Sequence, residues 1–160
     1  MSNADGRGYW KACNILRYLP AGTVVVRLHQ DDSLFETLAR IAAVRISGCR
    51  LRISCPEDLN NQATRFLRTD EGRRLTEGDP HYYETDQELA GIIPTVDRIR
   101  YAAAERVPQE IYRAAAESGF HVARAPVMMD GRLELLHYYK QQNICDNYHR
   151  YGNLGERALL

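Results

Sequence analysis

Residues Thr23–His29, TVVVRLH, open on four successive β-branched side chains, and polar residues enter only at Arg27 and His29. A strand with one wet face alternates apolar and polar residues. An unbroken run of this length fits a strand buried on both faces, as in a sheet covered by helices on either side. The next segment narrows the choice further. Ser33 with Glu36 three positions on is a capping box, which satisfies two backbone N–H groups at a helix start. Leu34, Leu38 and Ile41, with Phe35, Ala39, Ala42 and Ile46, make one broad apolar face at helical spacing. Gly48 sits where a helix can end in a left-handed residue. Arg50–Cys55, RLRISC, then reads as a second strand. Strand, helix and strand in this order make a right-handed crossover with parallel strands.

The remainder extends this unit. Pro56, Glu57 and Asp58 mark a helix start, with Leu59, Ala63, Phe66 and Leu67 facing a core. Thr69–Tyr83 is polar and glycine-bearing and reads as a surface loop, in which His81-Tyr82-Tyr83 packs down as an anchor. Thr85 and Glu88 form another capping box, for a short helix carrying Leu89, Ile92 and Ile93 and stopping near Pro94. Asp97–Ala102 has strand character, and a helix runs from Pro108 to Ser118 with Gly119 closing it. Phe120–Pro126 and Arg132–Tyr139 flank Asp130-Gly131, a dipeptide favoured in hairpin turns. The expected fold is α/β: an open, mostly parallel Rossmann-like sheet with a C-terminal hairpin and an extended tail.

Composition removes several function classes. At 160 residues, the chain suits one domain with a substantial core. Lys plus Arg and Asp plus Glu number 21 each, so the basic excess by which a nucleic-acid binder neutralises phosphates is missing. No apolar run approaches the roughly 18 residues of a membrane span, and the default location is cytoplasmic. The four cysteines, Cys13, Cys49, Cys55 and Cys145, contain no CxxC pair and match no zinc pattern. Cys145 and His149 are close in sequence, but four extended residues hold them beyond hydrogen-bond reach. A dinucleotide site needs glycines in the turn after the first strand, so that backbone N–H groups can approach a pyrophosphate. The turn here is His29-Gln30-Asp31-Asp32-Ser33, without glycine and with two carboxylates where phosphates would lie. No catalytic, cofactor-binding or metal-ligating residue is assigned within the chain.

The segment DNYHRYGNLGERALL (Asp146–Leu160) combines ring edges, a guanidinium and flexible backbone without helix or strand period. Such residues suit contact with another surface. With GRLELLHY (Gly131–Tyr138), YHRYGNLG (Tyr148–Gly155) and NILRYLPAGTVVVRL (Asn14–Leu28), the chain resembles the C-terminal region of the proline utilization A family. Members of that family oxidise proline to glutamate in two steps. An FAD-dependent proline dehydrogenase makes pyrroline-5-carboxylate, and an NAD-dependent aldehyde dehydrogenase oxidises its open form, glutamate γ-semialdehyde. The resemblance implies a degenerate aldehyde dehydrogenase superfamily domain that acts as a lid over the substrate-channelling tunnel. It implies NAD and FAD for the parent enzyme and no cofactor in this region. The tail residues Tyr148, His149, Arg150, Tyr151, Gly152, Asn153, Leu154 and Gly155 would dock on the aldehyde dehydrogenase domain of the same polypeptide, or on another copy of this chain.

The expected organisation is a cloning scar at residues 1–4, a lead-in segment at 5–22, an α/β domain at 23–139 and a docking tail at 140–160. Two other readings fit the residues. One is an independent small α/β enzyme or ligand-binding domain using the carboxyl ends of its strands. The other is a standalone interaction module.

Overall fold

Three valines decide how the sheet is covered. Val24 and Val26 point into one apolar cluster with Leu28, Ile41, Val44, Ile53, Leu67 and Tyr138. Val25, on the opposite face, joins Leu89, Ile93, Ile99, Tyr101, Val107 and Ile111. All three valines are fully buried, because successive side chains leave opposite faces of a strand and both faces carry helices.

The computed structural model describes residues 12–79 and 81–147. It divides into two compact units: Pro20–Lys140, and Met1–Leu19 together with Gln141–Leu160. Strands β1 (Ala12–Pro20) and β7 (Tyr139–Asn147) pair with each other in a two-stranded sheet. The larger unit is a Rossmann-like α/β fold built on β2 (Thr23–Arg27), β3 (Arg50–Cys55), β4 (His81–Tyr83), β5 (Arg98–Arg100) and β6 (Val122–Ala123). These strands lie in the order β4-β3-β2-β5-β6, and each neighbouring pair is parallel. In the central pair Val24 stands opposite Leu51 and Val26 opposite Ile53.

Helix α1 (Leu34–Ile46) has the expected capping box: the Glu36 N–H donates to the Ser33 hydroxyl, and the Ser33 N–H donates to the Glu36 carboxylate. Its buried face, however, is Thr37, Arg40, Ile41, Ala43 and Val44. Leu38 is only half-buried, while Phe35 and Ile46 are exposed. The helix is rotated from the expected face because the Arg40 guanidinium is drawn inward by buried acceptors. Helix α4 (Asp86–Gly91) has the expected Thr85–Glu88 box, and α5 (Gln109–Ser118) ends on Gly119 at φ 66°, a left-handed cap.

The structure corrects the sequence reading in three further places. After β3, residues 56–59 form a turn closed by the Leu59 N–H on the Pro56 carbonyl, and helix α2 (Gln62–Leu67) starts only after Asn61, whose side chain caps it. The expected loop Thr69–Tyr83 contains helix α3 (Asp70–Leu75) and edge strand β4. Gly72 makes this possible, since a β-carbon there would stand 2.3 Å from the Phe66 carbonyl oxygen and 2.6 Å from the Leu67 α-carbon. Finally, the expected hairpin strand Arg132–Tyr139 is helix α6 (Gly131–Leu135) followed by a 3-10 turn, Leu136–Tyr138. Asp130 is a helix cap accepting the Arg132 N–H at 2.9 Å, so Asp130-Gly131 is not a hairpin turn. Leucine, glutamate and arginine favour helix over strand, and Glu134 is held inward by the buried Arg100.

Core packing of α1 therefore rests on Ile41 more than on Leu38. We expect Ile41→Ala to cost about 2–5 kcal/mol and Leu38→Ala clearly less, measured by urea denaturation. Equal losses would contradict the observed helix rotation.

Candidate functional site

In an open parallel sheet, ligands bind beyond the carboxyl ends of the strands, where successive connections leave in opposite directions. In this sheet that point lies between β2 and β5, beside the start of α1. Here the chain fills the position with its own side chains.

Arg40, fully buried on α1, reaches across both strand ends. Its Nη1 donates to the Arg27 carbonyl at 2.8 Å and to the Arg100 carbonyl at 3.3 Å. Its Nη2 donates to Asp32 Oδ2 at 2.5 Å, with both side chains excluded from solvent. The same Asp32 oxygen accepts the His29 N–H at 2.9 Å. The other, Oδ1, accepts Arg106 Nη1 at 2.7 Å, and that nitrogen also reaches Glu36 Oε1 at 3.0 Å. Arg106 arrives from the 3-10 turn after β5 (Ala104–Arg106), so strand end, helix start and following loop close around one carboxylate.

The physical consequence is that a carboxylate of the chain itself stands at this helix start. A bound phosphate draws on free N–H groups and the positive end of the helix dipole. At this helix start the N–H groups of Ser33, Glu36 and Thr37 are all bonded within the first turn, and that of His29 goes to Asp32. Asp32 supplies the negative charge that a ligand would bring. Removing one partner of such a buried set typically costs about 3–5 kcal/mol, because the remaining charge is left unpaired.

Two further arginines act in the same way along the carboxyl edge. Arg27 donates to Ser54 Oγ and the Glu84 carbonyl, both at 2.9 Å, and to Asp86 Oδ1 at 2.8 Å, tying β2 to β3 and to the start of α4. Arg100 makes a bidentate pair with Glu134, Nη2 lying 2.9 Å from each carboxylate oxygen, and Tyr138 donates its hydroxyl to Glu134 Oε1 at 2.8 Å. Glu134 is thus buried and joins α6 to β5.

The cysteines give no activated thiol among the described side chains. Burial pushes the Cys55 thiol up to about 11, against the lowering influence of Arg27 and Arg68. Cys49 is buried and donates to the Tyr138 carbonyl at 3.2 Å. The Cys145 side chain and all of His149 lie outside the described residues, as does the whole strip Tyr148, His149, Arg150, Tyr151, Gly152, Asn153, Leu154 and Gly155. Residues His81–Tyr83 are a strand, with the Arg52 guanidinium stacked 3.5 Å from the Tyr82 ring centre. Among the described residues, no group of three or more His, Cys, Asp or Glu could hold a metal ion, and no helix is long and apolar enough to cross a membrane.

The sequence reading found the glycine-free turn and its two aspartates, but not the arginines that answer Asp32. A signal was present: Arg40 interrupts the apolar side of α1 directly beside Ile41.

No protein-family model and no curated protein matches the chain. Among solved structures it is similar to Proline Utilization A from Corynebacterium freiburgense, with 27% identity and a TM-score of 0.47. The similarity covers 89% of this chain and 11% of that one, so the chain spans about a ninth of that protein's length.

The network also has a pH signature. Burial pushes the Glu36 carboxyl up, but bonds from the Ser33 N–H and hydroxyl, and the nearby Arg106 charge, outweigh it and hold the group below its ordinary value of 4.5. A carboxyl depressed on folding stabilises the native state above its unfolded pKa, and that contribution is lost as pH falls through the folded value. Glutamine preserves the helix cap but not the charge. We therefore expect Glu36→Gln to lose less stability than the parent chain between about pH 5 and pH 3, read from urea midpoints. Parallel acid limbs would show that the pair with Arg106 contributes nothing.

Proposed function

We propose that this chain is a non-catalytic C-terminal lid and docking domain of a bifunctional proline-catabolic enzyme. In this reading the parent pairs an FAD-dependent proline dehydrogenase with an NAD-dependent L-glutamate γ-semialdehyde dehydrogenase. The domain covers the tunnel through which the intermediate passes. The observation that carries the non-catalytic reading is the filled crevice: Asp32, held by Arg40 and Arg106, stands where a Rossmann-like fold would take a dinucleotide phosphate. The parent is inferred from the sequence resemblance in Gly131–Tyr138 and Tyr148–Gly155.

The β1–β7 ribbon supports a docking role. Ile15, Leu16, Tyr18, Leu19 and Ile144 are all at least a third exposed on it. Neighbours such as Ile15 and Leu16 leave opposite faces of a strand, so apolar groups stand on both sides of the ribbon. A two-stranded ribbon is marginally stable alone in water, and apolar residues on both faces favour cover by a partner. We assign that partner as the aldehyde dehydrogenase domain of the same polypeptide. The strip Tyr148–Gly155 continues directly from the ribbon in sequence, and its tyrosines and Arg150 are residue types enriched at binding hot spots.

Truncating the parent enzyme after Asn147 keeps the ribbon and removes the strip. Aldehyde oxidation and transfer of the intermediate should fall, while flavin-dependent proline oxidation persists. Unchanged coupled activity would refute the docking role.

A further inference from the structure

Away from the filled crevice, α2, α3 and β4 enclose an open cleft of about 340 Å³ lined by Leu67, Arg68, Arg73, Thr76, Gly78, Asp79, His81 and Tyr83. Its charges are one-sided. Two arginines and a histidine line it, and the one acidic residue of the lining, Asp79, is engaged through Oδ2 by Arg45 at 2.7 Å. The Arg68 guanidinium lies over the Tyr83 ring, 6.0 Å from its centre, and Nη2 reaches the Tyr83 hydroxyl at 3.5 Å. Arg73 makes no ion pair among the described residues. Cationic residues thus outnumber carboxylates in the lining of this cleft, the reverse of the Asp32 crevice, which is centred on a carboxylate.

We propose that this cleft binds a small oxyanion, a phosphate or a short dicarboxylate, held by the guanidinium forks of Arg68 and Arg73 with His81 and the Tyr83 hydroxyl completing the donor set. Planar guanidinium groups pair with such oxyanions through two parallel N–H bonds. The half-buried His81 imidazole supplies an internal reporter. Burial lowers its pKa, the Arg68 charge lowers it further, and Asp79 acts in the opposite sense. An anion between these groups stabilises the imidazolium and raises that pKa. The site goes beyond the lid reading and does not depend on it.

The test titrates the intact chain with inorganic phosphate, pyrophosphate and succinate at constant ionic strength, following the His81 ring signals by NMR. Saturable binding of at least one probe is expected, with the His81 titration moving to higher pH. Tighter binding of phosphate or pyrophosphate than of succinate assigns a phosphate site, and the reverse order a carboxylate site. Arg68→Gln and Arg73→Gln should each weaken binding about tenfold. Arg65→Gln, an exposed arginine on α2 that does not line the cleft, should leave it unchanged. The proposal is overturned if His81 does not respond to any probe, or if Arg65→Gln weakens binding as much as the other two.

Discussion

The Asp32 carboxylate, shared between Arg40 and Arg106, is the interaction on which the carboxyl edge of this sheet depends. It ties the turn after β2 to the middle of α1 and to the loop after β5. Ion pairs excluded from water give little net stability over an apolar replacement, because desolvation offsets most of the attraction. They are sensitive to loss of one partner, however, and here they fix which segments meet. The chain has a Rossmann-like sheet and places its own carboxylate at the start of α1.

The same device recurs along the edge. Arg27 and Arg100 are buried at the carboxyl ends of β2 and β5, and each holds a side-chain carboxylate and a backbone carbonyl from neighbouring elements. Arginine suits this role because its guanidinium has five donors in a fixed plane and stays charged when buried. With Arg40, these side chains hold the sheet's carboxyl edge to α1, α4 and α6. The apolar clusters on the two faces provide the bulk driving force.

Much of this fold was legible in the sequence. The valine run, the capping boxes at Ser33 and Thr85 and the closing Gly119 are local signals, and they mark strands and helices where the structure has them. The errors lie where tertiary contacts override local pattern. Alternating apolar residues in Arg132–Tyr139 look like a strand, yet Asp130 caps a helix and Glu134 is turned inward by Arg100. The segment 70–75 lacks an apolar stripe, and its helix exists because Gly72 permits close approach to α2. The absence of a phosphate loop could be read from the glycine-free turn. The side chains that close the crevice could not, because Asp32 and Arg106 are 74 residues apart.

These features favour a domain whose binding capacity lies on its surface elements, with the crevice at the carboxyl edge filled by its own side chains. The central claim is that the Asp32 network leaves no room for a dinucleotide. Calorimetric titration of the intact 160-residue chain with NAD into the millimolar range tests it most directly. The account predicts no saturable heat, and saturable binding at micromolar concentration would contradict it.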